Sequence, residues 1–205
     1  SFVDTFAPMA IATNQPMTLE AYLDYDDGTD TRYELVDGLL VDMGAESDVN
    51  VVIGSFLFSI FLQYVPYYCV RRGTEIEVSG QAANTRYPDL VVVDEAGAAA
   101  LAGKKRSLVT LDMPAPRLVV EVVSSSDTNS QSRERDYVAK RREYAQRGIA
   151  EYWIVDPLAA VVLILTLAGQ EYQEQRFVGD ESLVSPGFPG LQLSAEQVLQ
   201  AGLPT

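Results

Sequence analysis

The 205-residue sequence predicts a mixed α/β (α+β) fold, in which a central mixed β-sheet is flanked by helices. Three observations lead to this prediction: helical and extended segments alternate in the middle of the chain, hairpins are indicated near both ends, and 47% of the residues are hydrophobic. A chain of this length is sufficient for one sizeable core. We therefore expect a single domain over residues 17–205, after a leader at residues 1–16 that is disordered or partly left from cloning.

In the N-terminal part of the chain, the sequence predicts two helices and a hairpin. Thr18 is a typical N-cap for a short helix over residues 18–25. Extended runs on both sides of Asp37-Gly38 predict a hairpin, because this pair favours a two-residue turn. The mostly apolar segment 49–64 predicts a longer helix, which ends before Pro66.

The rest of the chain contains strand-like segments, loops and one long helix. Residues 117–123 (RLVVEVV) predict a central strand that is buried on both faces. We expect a loop at residues 80–86, a linker at 94–116 with room for a short helix, and a polar loop at 124–132 that supplies helix caps. The other predicted elements are strands at residues 68–72, 74–79, 90–93, 152–155, 160–167 and 171–177, and a helix at residues 133–147 that Gly148 ends.

Composition and charge exclude several classes of protein. The formal net charge of −14 argues against strong, indiscriminate binding to duplex DNA. The sequence contains no histidine, which excludes Ser-His-Asp and Cys-His catalysis and HExxH zinc sites. The single cysteine, Cys69, favours a cytoplasmic protein, and the longest helical-looking apolar stretch, residues 51–65, is too short to span a membrane.

Glu121 is the most unusual residue of the predicted central strand. Alternation along the strand places Val119, Glu121 and Val123 on one face. A buried carboxylate in this setting requires a cation, a metal ion or a proton, and a structural ion pair with an arginine is one explanation. A second acid, Asp89, begins another predicted strand, where ordinary turn chemistry is the alternative.

The helix that follows this strand carries Asp136, Lys140 and Tyr144 on one face, because they are spaced i, i+4 and i+8. A lysine on the packed side of the helix would project over the sheet towards Asp89 and Glu121. The alternative is a solvent-exposed pair of Asp136 and Lys140, which contributes little to stability.

Five segments of the chain form an ordered set: residues 33–38 (YELVDG), 87–92 (YPDLVV), 118–124 (LVVEVVS), the spaced residues 136, 140 and 144, and residues 148–157 (GIAEYWIVDP). This set resembles the motifs of the Uma-two family, which is grouped with restriction endonucleases and is a bacterial branch of the PD-(D/E)XK nuclease superfamily. The resemblance extends from about Met17 to residues 188–191, and the EYWIVDP stretch is its most recognisable part.

The resemblance implies a restriction-endonuclease-like core in which Asp89 and Glu121 bind Mg²⁺. The carbonyl of Val122 would complete the protein ligands, and Mn²⁺ is expected to substitute for Mg²⁺. Glu34 matches the N-terminal acid of the family and is implied as a further ligand, directly or through water. The alternative for Glu34 is an ordinary carboxylate of the hairpin.

This sequence departs from the superfamily pattern at one catalytic position. The usual lysine two residues after the glutamate is replaced here by Val123. The resemblance implies that Lys140 supplies this lysine from the helix, where it would orient or help to deprotonate the attacking water. Asp136 would orient Lys140, or else form a surface pair.

Together these features predict a Mg²⁺-dependent DNA endonuclease with Asp89, Glu121, Lys140 and Glu34 as its catalytic residues. DNA is the expected substrate, a homodimer is expected because related nucleases often dimerise, and no membrane and no organic cofactor are expected. The alternative is a catalytically inactive nuclease-fold protein that binds nucleic acid or protein, since Val123 and the acidic charge weaken the case for cleavage.

Overall fold

The structure is a computed structural model, and it describes residues 15–80, 82, 84–124 and 130–203, without the side chains of residues 130–135. Most of the predicted leader (1–14) and most of the predicted capping loop (125–129) lie outside the described residues. The elements are, in chain order, α1 (Leu19–Leu23), β1 (Tyr33–Val36), β2 (Leu39–Asp42), α2 (Asp48–Phe61), β3 (Val70–Arg71), β4 (Glu75–Val78), β5 (Asn84–Arg86), β6 (Leu90–Val92), α3 (Glu95–Leu101), β7 (Leu108–Val109), β8 (Leu118–Val122), α4 (Ser130–Arg147), β9 (Glu151–Asp156), β10 (Val161–Ala168), β11 (Glu171–Phe177) and α5 (Ala195–Gln200).

A six-stranded mixed sheet lies at the centre of the fold. Its strand order is β11-β10-β9-β8-β6-β3, in which β8 and β9 run parallel and the other neighbours run antiparallel. A smaller sheet has the order β5-β4-β7, and β1 and β2 form a hairpin. The predicted mixed fold, with a central sheet, flanking helices and hairpins near both ends, is therefore confirmed.

The central strand β8 is buried on both faces, as its run of valines predicts. Leu118, Val120 and Val122 pack in one apolar cluster with residues of α2 and α5. Val119 and Val123 pack in a second cluster with residues of α3 and α4. Helix α4, which follows β8 in the chain, therefore covers the face of the strand that carries Glu121.

The first helix and the hairpin form as their local signals predict. The side chain of Thr18 accepts a hydrogen bond from the backbone N–H of Ala21 (3.1 Å) and so caps α1. Asp37 and Gly38 both have positive φ, at 51° and 79°, which is the backbone of a two-residue hairpin turn. A side chain at Gly38 would also meet the Cβ of Pro16 at 2.8 Å.

Several short elements differ from the sequence-based predictions because they depend on distant partners. The predicted loop 80–86 contains β5, where Thr85 and Asn84 accept hydrogen bonds from the backbone N–H groups of Leu35 (3.0 Å) and Asp37 (2.8 Å). The predicted strand 68–72 is reduced to β3, since Tyr67–Cys69 form a 3₁₀ turn. Strand β7 and helix α5 were not predicted.

None of the helices in the described ranges has the length and apolar character needed to cross a bilayer.

Candidate active site

Asp89 lies beside the end of β8. It follows Pro88 directly and precedes β6, which pairs with β8. Its Oδ2 accepts a hydrogen bond from the backbone N–H of Val122 (2.6 Å), so the carboxylate is held next to the residue that follows Glu121. Burial, together with the charge of Glu46, raises the pKa of Asp89 to about 6, although the Val122 hydrogen bond opposes this shift.

Glu121 is 4% exposed and has two partners on α4. Its Oε1 accepts a hydrogen bond from the hydroxyl of Tyr144 (2.8 Å), and its Oε2 lies 3.4 Å from the Nζ of Lys140. Burial raises the pKa of Glu121 to about 7; the charges of Asp89 and Glu34 add to this effect and Lys140 opposes it. The cation beside Glu121 is therefore a lysine rather than the arginine that the sequence left open.

Lys140 is a buried residue, so it does not form the solvent-exposed pair that was the alternative. It is 6% exposed, and its Nζ lies 3.1 Å from Asp136 Oδ2 in addition to its contact with Glu121. The nearby acids, Glu121 first, hold the pKa of Lys140 well above its usual value against the effect of burial. Lys140 is therefore an ammonium ion at neutral pH in this arrangement.

Glu34 joins the same buried group of charges through Arg86. Its Oε1 accepts a hydrogen bond from the backbone N–H of Tyr87 (3.0 Å), and its Oε2 lies 3.2 Å from Arg86 Nη1. Arg86 also contacts Asp136 (2.8 Å) and Glu143 (2.7 Å). Asp136 thus bridges Arg86 and Lys140, and the side chain of Glu34 is already engaged by two donors.

The sequence reasoning missed Arg86 and Glu143 at this site. Arg86 lies in the segment that was predicted to be a loop, and it is 5% exposed. Its only sequence signal was its position three residues before Asp89 in the stretch Arg86-Tyr87-Pro88-Asp89. Glu143 had no such signal, because its partner is 57 residues away in the chain.

Val122 and Val123 lie where the strand register predicts. The carbonyl of Val122 accepts a hydrogen bond from the side-chain amide of Asn50 on α2 (3.2 Å). A carbonyl oxygen has two lone pairs, so one remains for another partner. Val123 is 4% exposed within the second apolar cluster, and its aliphatic side chain offers no polar group to the site.

Arg72 and Glu46 complete the surroundings of Asp89, and neither was singled out from the sequence. Arg72 donates from Nε to the backbone carbonyl of Asp89 (3.2 Å) and from Nη2 to Glu46 (2.8 Å). Its Nη1 donates to the carbonyl of Val51 and to the hydroxyl of Ser55, each at 3.2 Å. Arg72 therefore connects the backbone of Asp89 to helix α2.

The donor atoms around Asp89 and Glu121 fit a hard divalent cation. Two carboxylates and a carbonyl oxygen are oxygen ligands of the kind that Mg²⁺ and Mn²⁺ prefer. Burial raises the pKa of both acids, so a bound divalent cation would favour their ionised forms. Within the described residues, no group of three or more acidic or cysteine side chains is arranged to hold a metal ion.

The fold, together with the half-buried Asp89, the buried Glu121 and the buried Lys140, points to the class of nuclease-like proteins. The chain belongs to the Uma-two (Uma2) family, whose model is described as "Putative restriction endonuclease" and matches residues 19–196. A similar solved structure is that of a putative nuclease from Anabaena variabilis, with a TM-score of 0.67 and 18% sequence identity over 92% of this chain and 100% of that chain. The comparison with curated proteins gives no match. The family supports a nuclease-like function, and the solved structure supports the fold.

Proposed function

We propose that this protein is a divalent-metal-dependent endonuclease that hydrolyses DNA phosphodiester bonds. The observation that carries the proposal is the position of Asp89, Glu121 and Lys140. Two acids on neighbouring strands lie beside an ammonium group that a separate helix supplies, 3.4 Å from Glu121. This arrangement provides ligands for a metal ion and positive charge for a phosphate within one site.

Asp89, Glu121 and the carbonyl of Val122 would hold Mg²⁺ or Mn²⁺, and Glu34 would act through water because Arg86 and the Tyr87 N–H engage its oxygens. When bound, the metal ion would polarise a phosphoryl oxygen and lower the pKa of its water ligands. The hydrogen bond from the Val122 N–H fixes the direction of the Asp89 carboxylate, and the Tyr144 hydroxyl does the same for Glu121.

Lys140 would act by hydrogen bonding and by charge. Because its ammonium form is stabilised by Glu121 and Asp136, it donates protons in hydrogen bonds and does not accept one from water. It would orient the attacking water and offset the negative charge that develops on the phosphorus oxygens. The water oxygen forms a bond to phosphorus as the bond to the 3′ oxygen breaks. The water gives up one proton to solvent and the 3′ oxygen takes one up from solvent, which leaves a 5′-phosphate and a 3′-hydroxyl.

Cleavage assays test this function directly. The full chain is incubated with duplex, single-stranded and branched DNA in the presence of Mg²⁺ or Mn²⁺, with EDTA as the metal-free control. Wild-type protein is expected to cut, and Asp89→Ala and Lys140→Ala are expected to lose the activity. Cleavage that persists unchanged in both variants would rule out the proposed site.

A second candidate function is that of a binding module without catalysis. The observation in its favour is that Val123, at the usual lysine position, packs in an apolar cluster, while Lys140 is already engaged by two acids. Calorimetric titration with Mn²⁺ distinguishes the two candidates. Absence of binding in wild-type protein would favour the binding module.

The expected homodimer and the expected cytoplasmic location stay predictions. The aromatic residues Tyr64, Tyr67 and Tyr68 are candidates for a dimer surface, with packing within the chain as the alternative. Tyr67 is 76% exposed, while the hydroxyls of Tyr64 and Tyr68 bond to Gly190 and Glu95 within the chain. Analytical ultracentrifugation of wild-type protein and Tyr67→Ala tests the dimer.

A further inference from the structure

A groove of about 510 Å³ lies beside the candidate active site, between helix α2 and the edge of the central sheet at β3. Its polar lining residues are Ser55, Arg71, Arg72, Thr74 and Ser107. None of the lining residues in the described part of the chain is acidic. In a protein with a net charge of −14, a groove lined by two arginines and three hydroxyl groups stands apart from the average surface, and Arg71 carries its unpaired charge because Arg72 is paired with Glu46 (2.8 Å).

Arg71 has unused donor capacity at this groove. Its Nε donates to the carbonyl of Tyr68 (3.0 Å), and its two terminal nitrogens have no hydrogen-bond or ion-pair partner among the described residues. Thr74 and Ser107 share a hydrogen bond between their hydroxyls (2.7 Å), which leaves lone pairs and one proton for other partners. Guanidinium and hydroxyl groups are among the side-chain groups that contact nucleic-acid phosphates.

The groove is continuous with the candidate active site through Arg72. One guanidinium group reaches the backbone carbonyl of Asp89 on one side and the hydroxyl of Ser55 on the other, each at 3.2 Å. Gly54 makes this possible, because a Cβ there would lie 2.7 Å from the guanidinium carbon of Arg72. The groove therefore begins one guanidinium group away from Asp89.

We propose that this groove binds the backbone of the DNA substrate at a phosphate next to the one that is cleaved, with Arg71 as the contacting cation. The inference rests on the proposed function, since it assumes that the scissile phosphate lies at Asp89 and Glu121. Lys104, Lys105 and Arg106 precede Ser107 at the far end of the groove, but Lys105 is paired with Asp24 (3.2 Å) and Arg106 with Glu75 (3.1 Å), so Arg71 is the cation that the proposal depends on. Contacts at this groove would favour binding of DNA of any sequence, because they engage phosphates and not bases.

The salt dependence of DNA binding tests the groove independently of cleavage. The affinity of the full chain for a fluorescein-labelled 30-base-pair duplex is measured by anisotropy in Ca²⁺, in place of Mg²⁺, between 50 and 200 mM salt. Loss of one phosphate contact makes the negative slope of the log association constant against log salt less steep by about 0.9, so the Kd of wild-type protein is expected to rise about 3.5-fold more than that of Arg71→Ala over this range. Arg71→Lys is expected to keep the wild-type slope.

Arg176→Ala is the matched control. Arg176 is exposed on β11, at the opposite edge of the same sheet, and its substitution removes the same charge as Arg71→Ala. Equal slopes for Arg71→Ala, Arg176→Ala and wild-type protein would overturn the groove while leaving the proposed function in place. Failure of wild-type protein to bind the duplex would overturn both. Thermal unfolding of each variant confirms that a changed slope does not come from unfolding.

Discussion

Replacement of Asp89 by asparagine is expected to stabilise the metal-free protein. Asparagine has nearly the same shape, and its side-chain oxygen can accept the hydrogen bond that the Val122 N–H donates to Asp89 at 2.6 Å. The substitution therefore removes the charge and keeps the contact. Burial raises the pKa of Asp89 from 3.8 to about 6, which means that the folded protein disfavours the ionised carboxylate.

The size of the effect follows from this change in pKa. A shift from 3.8 to about 6 corresponds to about 3 kcal/mol. Because Asp89 is partly exposed, we expect about 2 kcal/mol at pH 8, or a Tm higher by about 4 to 8 °C for a chain of this length. The free energy of unfolding that ionised Asp89 costs the wild-type protein is zero below the unfolded pKa of about 3.9 and reaches its full value above about pH 6. The gain in stability from Asp89→Asn therefore shrinks as the pH falls from 8 to 4.

Thermal unfolding, followed by circular dichroism in EDTA at pH 8 and at pH 5, measures this difference. Asp180→Asn removes an exposed carboxylate and serves as the control, with an expected change within about 0.5 kcal/mol. Added Mn²⁺ is expected to reverse the order, because it stabilises the wild-type protein that binds it. An Asp89→Asn protein that is less stable than wild-type protein at pH 8 without metal would refute the reasoning.

Three further predictions follow from other contacts. Tyr144→Phe removes the hydroxyl that lowers the pKa of Glu121, so the pH midpoint of Mn²⁺ binding by calorimetry is expected to rise; an unchanged midpoint would contradict this. Glu151→Ala leaves two buried donors, Trp153 Nε1 and the Ser185 hydroxyl, and the Gly187 N–H without their acceptor, and it is expected to cost about 3 kcal/mol in urea unfolding. Glu151→Gln should cost less, and equal losses would argue against these hydrogen bonds. Gly54→Ala is expected to lower the Tm although alanine favours helices, because its Cβ would displace Arg72; a raised Tm would show that Arg72 moves freely.

Local patterns were sufficient for the parts of the fold that depend on neighbouring residues. The Asp37-Gly38 turn, the Thr18 cap and the two-faced strand β8 all follow from preferences that act over a few residues. Strand β5 did not follow from them, because Asn84 and Thr85 are polar residues whose partners lie 47 and 50 residues away. A segment of this kind has no apolar periodicity to mark it as a strand.

The candidate site likewise contains residues that local patterns located and residues that they did not. The sequence alone was enough to place Glu121 on one face of a buried strand and to place Asp136, Lys140 and Tyr144 on one face of the next helix, because the periods of strands and helices determine those faces. It left open whether Lys140 is packed against the sheet or exposed to solvent. The resemblance to a family added Glu34 and the expected roles of Asp89 and Lys140. Arg86 could not be found in this way, because nothing in its local pattern indicates that it contacts three acids.

The sequence by itself therefore determined the apolar core around the central strand and which side chains of β8 and of helix α4 share a face, since hydrophobic periodicity acts locally. Only the tertiary structure decided the charge partners: Glu121 with Lys140, Glu34 with Arg86, and Arg72 with the backbone of Asp89. These pairs join residues that are 17 to 52 positions apart, and their charges meet only after the sheets and helices have packed. The net negative charge of the whole chain likewise gives no sign of the groove at Arg71, where packing brings two arginines and three hydroxyl groups together and none of the described lining residues is acidic.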